Sequence, residues 1–407
     1  MGKFIVNGGK RLFGNVKISG SKNAALPLIF ATVVTKGESV LHNVPDISDV
    51  DIAIELITSL GARVERCGEA LYVDTADLRY NKPSEDLVSK IRASSYLMGA
   101  DLARFGLCHL QSFGGCNFDS RPIDMHIYAL ESFGGRRMGD TFSAKRLYPA
   151  KIFYNKISVG ATVNALILAA ATPGKSCIYG YAKEPHVISL VDFLRSAGAE
   201  ISLYADRIEV VGRELGGGEG TAVSDMIEAG TYAALSLLTD SKITLTDAPV
   251  RDLSSFFSPF IDAGVLVFES DKSLSVSGPI SDFINIITEP YPGFPTDLQP
   301  QTAPLLASSF GGRITERVWQ KRFGYLAELE KFGVRYELCQ NSALIRPSRL
   351  RSAIADAPDL RAGAALLMCA VATEGESVIN NSEIIKRGYS DIVKKLRLIG
   401  AEIYEEL

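Results

Sequence analysis

Residues 360–364 read Leu-Arg-Ala-Gly-Ala, and they are followed by Gly375-Glu-Ser-Val-Ile379 and by Ile399-Gly400-Ala401. This order of segments decides the fold: a helix rich in small residues, a glycine that opens a short strand, and a second helix that ends at a glycine. Near its start the chain has the same order, with Gly37-Glu-Ser-Val-Leu41 as the strand. The pattern therefore predicts an α/β unit that the chain uses more than once.

The unit recurs six times in the 407 residues. Its first helix begins near Lys22, Arg92, Val159, Glu228, Thr296 and Leu360. Its second helix closes at Gly61, Gly134, Gly198, Gly264, Gly333 and Gly400. The second copy is longer than the first, because Gly106 to Gly134 spans 28 positions whereas Gly37 to Gly61 spans 24. The extra residues fall around Cys116, where an insertion is expected to form a surface loop.

The copies divide into two sets of three. Between them, residues 214–221 read Glu-Leu-Gly-Gly-Gly-Glu-Gly-Thr, which is typical of a linker. We therefore expect two α/β domains with a cleft between them. The N-terminal domain would span residues 22–222 and carry the Cys116 loop, and the C-terminal domain would comprise residues 1–21 plus 223–407. The strands within residues 1–21 are expected to pair with the C-terminal domain.

Composition and charge exclude several classes of function. The net charge of −4 leaves no general basic surface, so we expect neither a nucleic-acid nor a membrane partner. Six scattered cysteines without a CxxC pair argue against a zinc site or a disulfide framework, and we expect no metal. No apolar run approaches the ~20 residues of a membrane span. The first residues lack the apolar core of a secretion signal, so we expect a cytoplasmic protein.

The longer second copy contains Phe113-Gly-Gly-Cys-Asn-Phe-Asp-Ser-Arg-Pro-Ile-Asp-Met-His126. Two glycines precede Cys116, and Pro122 fixes the backbone just after Arg121. A nearby guanidinium favours the thiolate, which is typical of a reactive cysteine in a mobile loop. The alternative is a small buried hydrophobic residue, as most free cysteines are. The position in an insertion favours a functional thiol.

Charged residues recur where the small-residue helices begin, at Lys22, Arg92, Asp297 and Arg361. Helix N-termini present N–H groups and a positive dipole end, so basic residues converging there would bind phosphate or carboxylate. The alternative for each residue is a solvated helix start or an ion pair. Further candidates for the same cluster lie in other connections, at Arg121, Lys156, Arg322 and Arg387.

Asp297 differs from the basic residues in kind. It follows two prolines in Gly293-Phe-Pro-Thr-Asp-Leu-Gln299, where a helix N-cap or first-turn residue is expected. In an arginine-rich cleft, the same carboxylate could accept a proton from a substrate hydroxyl. Both roles remain open at this point.

Several motifs together resemble the UDP-N-acetylglucosamine enolpyruvyl transferase (1-carboxyvinyltransferase) family. They run through the whole chain in order, which is more specific than any one of them. The motifs are Ser19-Gly-Ser-Lys-Asn-Ala-Ala25, Gly114-Gly-Cys116, Arg121-Pro-Ile-Asp124 with His126, Phe294-Pro-Thr-Asp297, Asp359-Leu-Arg361 and Arg387-Gly-Tyr389.

The resemblance implies an inside-out α/β barrel with two domains of three repeats each. It implies transfer of the enolpyruvyl group of phosphoenolpyruvate to the 3′-hydroxyl of UDP-N-acetylglucosamine, with release of phosphate, at the first committed step of peptidoglycan synthesis. The small-molecule substrates would be its partners. The family requires no metal and no organic cofactor.

The resemblance also implies roles for single residues. Cys116 would be the general acid, which can form a covalent adduct and react with fosfomycin, and Asp297 would bind and help to deprotonate the sugar hydroxyl. Phosphoenolpyruvate would be held by Lys22, Arg121 and Arg387, with Arg361 and Arg322 completing the anion clamp. The residues that fall where the family binds the substrates, above all the UDP-sugar, are Asn23, Arg92, Arg121, Pro122, Ile123, Asp124, Met125, Lys156, Ser158, Val159 and Val318.

This sequence departs from the common family pattern around the acceptor and in the loop. The departures are Phe113 for proline, Phe118 for isoleucine, Asp119 for glycine, Tyr96 for tryptophan, Met226 for arginine and His186 for glutamate. They leave two alternatives to the main interpretation. One is a paralogous enolpyruvyl transferase that acts on a different nucleotide acceptor, and the other is a non-catalytic sugar-nucleotide sensor. The aromatic-pathway transferase of the same superfamily lacks this cysteine loop.

Overall fold

The computed structural model describes residues 2–114 and 122–406. The chain divides into two compact units. In the described part, the N-terminal unit comprises residues 20–114 and 122–223, and the C-terminal unit comprises residues 2–19 and 224–406. None of the described helices is long and apolar enough to cross a membrane.

The N-terminal unit alternates helices with short strands. Its α-helices are Lys22–Ala31, Ser48–Ser59, Glu85–Val88, Leu97–Phe105, Asp124–Ser132, Val159–Ala171 and Pro185–Ser196, and its 3-10 helices are Thr32–Val34 and Arg92–Tyr96. One sheet orders its strands as Glu219–Thr221, Glu38–His42, Ala70–Asp74 and Arg63–Cys67. The next consists of Leu107–His109, Thr141–Ser143 and Arg136–Met138. A further sheet orders Lys151–Phe153, Gly174–Tyr179, Arg207–Gly212 and Glu200–Leu203.

The C-terminal unit has the same kind of elements. Its α-helices are Met226–Leu238, Ser254–Asp262, Gln299–Ala307, Leu326–Lys331, Leu360–Ala372, Ser382–Lys386 and Ile392–Leu398, and its 3-10 helices are Val250–Leu253 and Thr296–Leu298. One sheet orders Leu266–Ser270, Ser273–Ser277, Lys242–Thr246 and Phe13–Lys17. Another orders Ile284–Thr288, Gly312–Glu316, Ser342–Arg346 and Arg335–Cys339. A third orders Ile354–Asp356, Gly375–Asn380, Lys3–Gly8 and Glu402–Glu406.

The N-terminal strands belong to the C-terminal unit, as the sequence predicts. Lys3–Gly8 pairs antiparallel with Gly375–Asn380 on one side and with Glu402–Glu406 on the other. Phe13–Lys17 pairs in parallel with Lys242–Thr246. The start of the chain therefore completes two sheets whose other strands come from its second half.

The glycine-rich segment 214–221 is not the free linker that its composition suggested. Leu215–Gly216 pairs with Thr35–Lys36, and Glu219–Thr221 pairs with Glu38–His42. A Cβ atom on Gly217 would lie 1.7 Å from the carbonyl oxygen of Glu38. The glycines allow two stretches of backbone to approach closely inside the N-terminal unit. Composition alone does not distinguish this role from flexibility.

The small-residue helices are the centre of each core. In Val159–Ala171 every residue from 161 to 170 is buried, and in Leu360–Ala372 every residue from 360 to 371 is buried. A helix that is apolar on all sides must be surrounded by other elements, which is why these helices lack a polar face. Their first N–H groups are satisfied by the side chains of the capping residues Ser158 and Asp359.

The turn residues that the repeat pattern singled out have left-handed backbone conformations. The six glycines that close the second helices, Gly61, Gly134, Gly198, Gly264, Gly333 and Gly400, have φ between 92° and 117°. Asp240, which stands where most other copies have a glycine, has a φ of 47°. Glycine adopts this region without a steric penalty, and aspartate is among the residues that tolerate it best. These positions therefore define where each helix ends and its strand begins.

A buried acid lies within the core of the N-terminal unit. Asp101, on the helix Leu97–Phe105, is 2% exposed, and its Oδ1 has no hydrogen-bond partner among the described residues. Burial raises the pKa of its carboxyl well above the ordinary value. The folded protein therefore holds this proton at pH values where the unfolded chain has released it, so ionisation of Asp101 opposes folding.

We expect the stability of the wild-type protein to fall, relative to that of Asp101→Asn, as pH rises from about 4 to 8. An asparagine cannot ionise, so the variant lacks this contribution to the pH dependence. Thermal unfolding of both proteins across this range measures the difference. Asp77→Asn, at an exposed position, is the matched control and should track the wild type. A constant difference between Asp101→Asn and wild type at every pH would contradict the assignment.

Candidate functional site

Lys22 begins the first helix of the N-terminal unit and is held by a buried carboxylate. Its Nζ lies 3.1 Å from Oδ2 of Asp49, whose side chain is only 3% exposed. Asp49 lies in the first turn of Ser48–Ser59, where the helix dipole favours a negative charge. Asn23 follows Lys22 and is half-buried. The ion pair therefore fixes the position of Lys22, which the sequence analysis predicted to bind an anion.

A second set of polar contacts connects the helices Asp124–Ser132, Val159–Ala171 and Leu97–Phe105. The buried His126 Nδ1 lies 2.8 Å from Asn164 Nδ2, and Asn164 Oδ1 accepts a hydrogen bond from Gly99 N at 2.7 Å. Because the amide nitrogen can only donate, Nδ1 of His126 accepts and its ring is neutral. Burial, with the positive charge of Arg92, lowers the pKa of His126 to about 4. The imidazole therefore stays uncharged at neutral pH.

The residues predicted to bind a sugar nucleotide lie at the starts of two helices in contact. Asp124 is the exposed first residue of Asp124–Ser132, and Ser158 caps Val159–Ala171 by accepting from Ala161 N at 3.3 Å. A Cβ on Gly160 would lie 2.9 Å from a ring carbon of His126, so the two helix starts touch. The other predicted residues are exposed at Pro122 and Lys156, and half-buried at Arg92, Ile123, Met125 and Val159.

In the C-terminal unit, one carboxylate is shared by two buried guanidiniums. Oδ1 of Asp297 accepts from Arg322 Nη1 at 2.7 Å, and its Oδ2 lies 3.1 Å from Arg361 Nη2 and 3.2 Å from Arg361 Nε. The arginine side chains are 4% and 3% exposed, whereas that of Asp297 is 30% exposed. Two cations and an accessible carboxylate thus occupy one small region.

The surrounding charges keep both guanidiniums protonated. Burial by itself would lower the pKa of Arg361, but the negative charge of Asp297 is the largest of the contributions that raise it overall. The pKa of Arg322 is likewise raised, because Asp297, Asp359 and Glu316 together outweigh its burial. Both arginines therefore stay positively charged at any physiological pH.

Asp297 does not act as the helix cap that its sequence context allowed. It lies in the 3-10 turn Thr296–Leu298, as the expectation of a first-turn position required. No side-chain cap is formed at the start of this turn or of the helix Gln299–Ala307 that follows it. Both carboxylate oxygens are instead directed to the guanidiniums, because a charged partner offers a stronger hydrogen bond than a backbone amide.

Glu316 anchors the two segments that carry this cluster. Its Oε1 accepts from Thr288 Oγ1 at 2.6 Å, from Val318 N at 2.8 Å and from Trp319 N at 2.9 Å. Its Oε2 accepts from Thr296 Oγ1 at 2.8 Å, one residue before Asp297. The side chain is fully buried. It therefore links the turn that holds Asp297 to the turn that holds the predicted residue Val318.

Arg361 also packs against the ring of Tyr389. Its Cζ lies 5.5 Å from the centroid of the Tyr389 ring, and the hydroxyl of Tyr389 is 2.9 Å from Thr231 Oγ1. Arg387, two residues before this tyrosine, is half-buried at the end of Ser382–Lys386. Asp359 accepts from the backbone N–H groups of Arg361 and of the next residue, at 2.8 and 3.0 Å. Packing and capping thus orient the start of Leu360–Ala372.

Cys116 and Arg121, with Phe118 and Asp119, lie outside the described residues, and their predicted roles remain predictions. Of the other departures from the family pattern, Tyr96, Phe113, His186 and Met226 are all half-buried. The ring of Tyr96 packs edge-on against Phe30, with 6.2 Å between the centroids. Within residues 2–114 and 122–406, no three His, Cys, Asp or Glu side chains are grouped so that they could hold a metal ion.

Three polar residues of these clusters were not singled out from the sequence. Asp49 and Glu316 are acids near helix starts or strand ends, and such residues are common on protein surfaces. Asn164 lies inside an apolar helix pattern, VGATVNALILAAA, and this break in the pattern was the available signal. A polar residue in a fully buried helix requires a partner, which here is His126.

Comparisons with known proteins agree over the whole chain. The family model described as EPSP synthase (3-phosphoshikimate 1-carboxyvinyltransferase) matches residues 6–396. UDP-N-acetylglucosamine 1-carboxyvinyltransferase 3 of Caldanaerobacter subterraneus subsp. tengcongensis is 37% identical, and the match covers 99% of each chain. UDP-N-acetylglucosamine 1-carboxyvinyltransferase of Halothermothrix orenii is 36% identical, with the same coverage.

Solved structures share the architecture. The enolpyruvyl transferase NikO from Streptomyces tendae superposes with a TM-score of 0.87 at 26% identity, over 100% of this chain and 99% of that one. EPSP synthase from Acinetobacter baumannii has a TM-score of 0.75 at 14% identity, which concerns the fold alone. The α/β fold is therefore that of the enolpyruvyl transferases, and the resemblance inferred from the motifs is confirmed. By its family model and its relatives alike, this chain belongs to the enolpyruvyl (1-carboxyvinyl) transferase family.

Proposed function

We propose that the protein transfers the enolpyruvyl group of phosphoenolpyruvate to the 3′-hydroxyl of UDP-N-acetylglucosamine and releases phosphate, as the first committed step of peptidoglycan synthesis. The observation that carries the proposal is the carboxylate of Asp297 between Arg322 and Arg361. It joins a proton acceptor to two anion-binding groups, which is what a reaction between an alcohol and an anionic enol phosphate needs. The names of the curated relatives support this acceptor.

The chemistry is an addition followed by an elimination. The sugar oxygen forms a bond to C2 of phosphoenolpyruvate while the methylene carbon gains a proton, giving a tetrahedral intermediate. The carbon that gained the proton then loses one, and the bond between C2 and the phosphate oxygen breaks, which releases inorganic phosphate. The steps require an acid at the methylene carbon, a base at the hydroxyl, and cations for the carboxylate and phosphate groups.

In this proposal the C-terminal unit provides the base and part of the anion clamp. Asp297 accepts the proton of the sugar hydroxyl, and Arg322 and Arg361 bind anionic groups together with Arg387. In the structure both carboxylate oxygens of Asp297 are occupied by the two guanidiniums. An anionic substrate bound by the arginines would compete for these guanidiniums and leave the carboxylate available to the hydroxyl.

The Cys116 loop provides the acid in this proposal, and the N-terminal unit provides most of the remaining substrate contacts. Cys116 is the proposed acid at the methylene carbon, and Lys22 and Arg121 bind phosphoenolpyruvate, with Asn23 beside Lys22. The exposed or half-buried positions of the described residues support contact with a sugar nucleotide. These residues are Arg92, Pro122, Ile123, Asp124, Met125, Lys156, Ser158 and Val159.

The proposal includes the finer architecture expected for this family. It consists of six copies of one α/β unit arranged as two inside-out barrels, with residues 22–222 in one domain and residues 1–21 plus 223–407 in the other. The left-handed glycines at corresponding positions and the completion of two sheets by N-terminal strands support it. The cytoplasmic location expected from the sequence also remains part of this proposal.

Phosphate release tests the proposed reaction. Mixing the wild-type protein with phosphoenolpyruvate and UDP-N-acetylglucosamine should release phosphate in proportion to the enolpyruvyl product. Omission of either substrate is the control. Release only with a different nucleotide would establish the paralogous reaction, and tight binding of a sugar nucleotide without release with any acceptor would establish the sensor.

Cys116→Ser should lose most of the turnover, because a hydroxyl is a far weaker acid than a thiol. Cys369→Ser is the matched control and should retain activity, since burial raises the pKa of the Cys369 thiol and holds it away from any substrate. Mass spectrometry after treatment with fosfomycin and sugar nucleotide should show one adduct, located at Cys116. An unmodified Cys116 under these conditions would count against its assignment.

Glu316→Ala should destabilise the protein by about 3 kcal/mol, because four donors, one on a buried residue and three on half-buried residues, lose their acceptor. Glu316→Gln keeps an acceptor oxygen and should restore most of that stability, with a KM for the sugar nucleotide still above wild type if Glu316 positions Asp297 and Val318. Glu289→Ala removes an exposed pair with Arg317 and should cost less than about 1 kcal/mol. An unchanged KM in Glu316→Gln would limit Glu316 to a structural role.

A further inference from the structure

Three polar side chains meet in the core of the C-terminal unit, and we call them the polar triangle: Thr231, Gln301 and Tyr389. The hydroxyl oxygens of Thr231 and Tyr389 lie 2.9 Å apart. Gln301 Nε2 lies 3.2 Å from the threonine oxygen and 3.1 Å from the tyrosine oxygen. All three side chains are buried. Each member of the polar triangle therefore bonds to the other two.

Chemistry fixes the direction of each hydrogen bond in the polar triangle. Thr231 Oγ1 donates its single hydrogen to the carbonyl oxygen of Ile227, at 2.7 Å within its own helix. The hydroxyl of Tyr389 must therefore donate to Thr231, and the amide nitrogen of Gln301, which can only donate, serves both oxygens. Burial raises the pKa of Tyr389, so its hydroxyl keeps the proton that it donates. Together these bonds hold the Tyr389 ring in one orientation.

The polar triangle lies next to the groups proposed to bind the anionic substrate and to act as the base. Gln301 is four residues after Asp297, in the helix that follows the turn of Asp297. The ring centroid of Tyr389 lies 5.5 Å from Arg361 Cζ, within the range of a cation–π interaction. Tyr389 also follows Arg387 by two residues. The orientation of this ring therefore bears on the placement of both arginines.

A glycine brings the helix of Thr231 close to the same region. A Cβ atom on Gly230, the neighbour of Thr231, would lie 2.5 Å from Leu298 Cδ1. The helix Met226–Leu238 thus packs directly against the turn Thr296–Leu298, and only a glycine allows this approach. The segment that carries Asp297 is therefore held both by this packing and by the bonds of Gln301.

The polar triangle is not the most stable way to fill this part of the core. Oε1 of Gln301 is buried and has no hydrogen-bond partner among the described residues, which costs free energy. Apolar side chains of the same shape would avoid this cost, whereas directional hydrogen bonds fix a single arrangement of the segments that they join. The unpaired amide oxygen therefore indicates that these side chains serve geometry rather than stability.

We propose that the polar triangle positions Arg361 and Arg387 for the anionic groups of phosphoenolpyruvate, through the orientation of the Tyr389 ring and its segment. Its members are positioning residues and not catalytic ones, because their side chains are buried and their hydroxyl and amide hydrogens are all donated within the protein. The inference rests on the proposed function for the identity of the anion.

A triple variant with Thr231→Val, Gln301→Leu and Tyr389→Phe tests the polar triangle. Donors and acceptors are removed together, so the variant should unfold thermally near the temperature of the wild type. Calorimetric titration with phosphoenolpyruvate, in the presence of UDP, should show a dissociation constant raised by about tenfold to a hundredfold, the range expected for a positioned group displaced by ~1 Å. The dissociation constant for UDP should not change, because most residues proposed to bind the sugar nucleotide belong to the N-terminal unit.

Two control variants separate positioning from a general effect on the core. Thr231→Ser keeps the hydroxyl and should bind phosphoenolpyruvate like the wild type. Thr373→Val is the matched control, because this buried threonine lies just past the far end of the helix that carries Arg361 and donates to Cys369 O at 2.8 Å. It should leave both dissociation constants unchanged.

With both substrates present, kcat/KM for phosphoenolpyruvate should fall in the triple variant. Wild-type affinity for phosphoenolpyruvate in a folded triple variant would overturn the inference and leave the proposed function standing. Weakened binding in the triple variant, when the wild type releases no phosphate with any acceptor, would support the polar triangle and refute the proposed reaction. If the triple variant does not fold, Tyr389→Phe, which loses a single oxygen, provides the test, and wild-type affinity in that variant would overturn the inference. A wild type that binds no phosphoenolpyruvate would refute both proposals.

Discussion

The carboxylate of Asp297 and two buried guanidiniums share a small region of the C-terminal unit, and the balance of their charges constrains the segments around them. Arg322 and Arg361 are nearly fully buried and could not remain charged there without acidic partners. Asp297 makes the largest compensating contribution to both arginines, Asp359 and Glu316 add to it at Arg322, and Tyr389 and Asp225 add to it at Arg361. Glu316 and Asp359 are held in turn by backbone N–H groups and, for Glu316, by hydroxyls. Because the buried charges must be balanced, the segments that carry Asp297, Arg322 and Arg361 are fixed relative to one another.

The same balance of charges also matters for the proposed reaction. In the proposed reaction the guanidiniums must be in place before an anionic substrate arrives, and the carboxylate of Asp297 holds them there without blocking the site permanently. Asp297 is the most exposed member of the cluster, so it is the member that a ligand can reach. Lys22 and Asp49 form a similar pair in the N-terminal unit. Elsewhere in that unit His126 stays neutral through burial, so it adds no positive charge beside Arg92.

The sequence predicted the parts of this structure that depend on nearby residues. Each closing glycine has the left-handed backbone that its position in the repeat required, and the small-residue helices are buried on all sides. The sequence failed where one pattern had two physical meanings. The glycines of segment 214–221 indicated flexibility but serve close pairing with another strand. At Asp297 the sequence left a cap and a first-turn position open, and the structure places it in the first turn with its carboxylate paired to arginines from distant segments.

The sequence by itself determined the order of the repeated units, the glycines that close their second helices and the family that the chain resembles, because turns and motifs involve residues only a few positions apart. Only the tertiary structure decided which charges meet. Asp297 and Arg361 are 64 positions apart, and Lys22 and Asp49 are 27 positions apart. Nothing in either local sequence identifies the other partner. Such pairs form because packing the buried helices brings their first turns together, and electrostatic interactions depend on distance in space rather than along the chain.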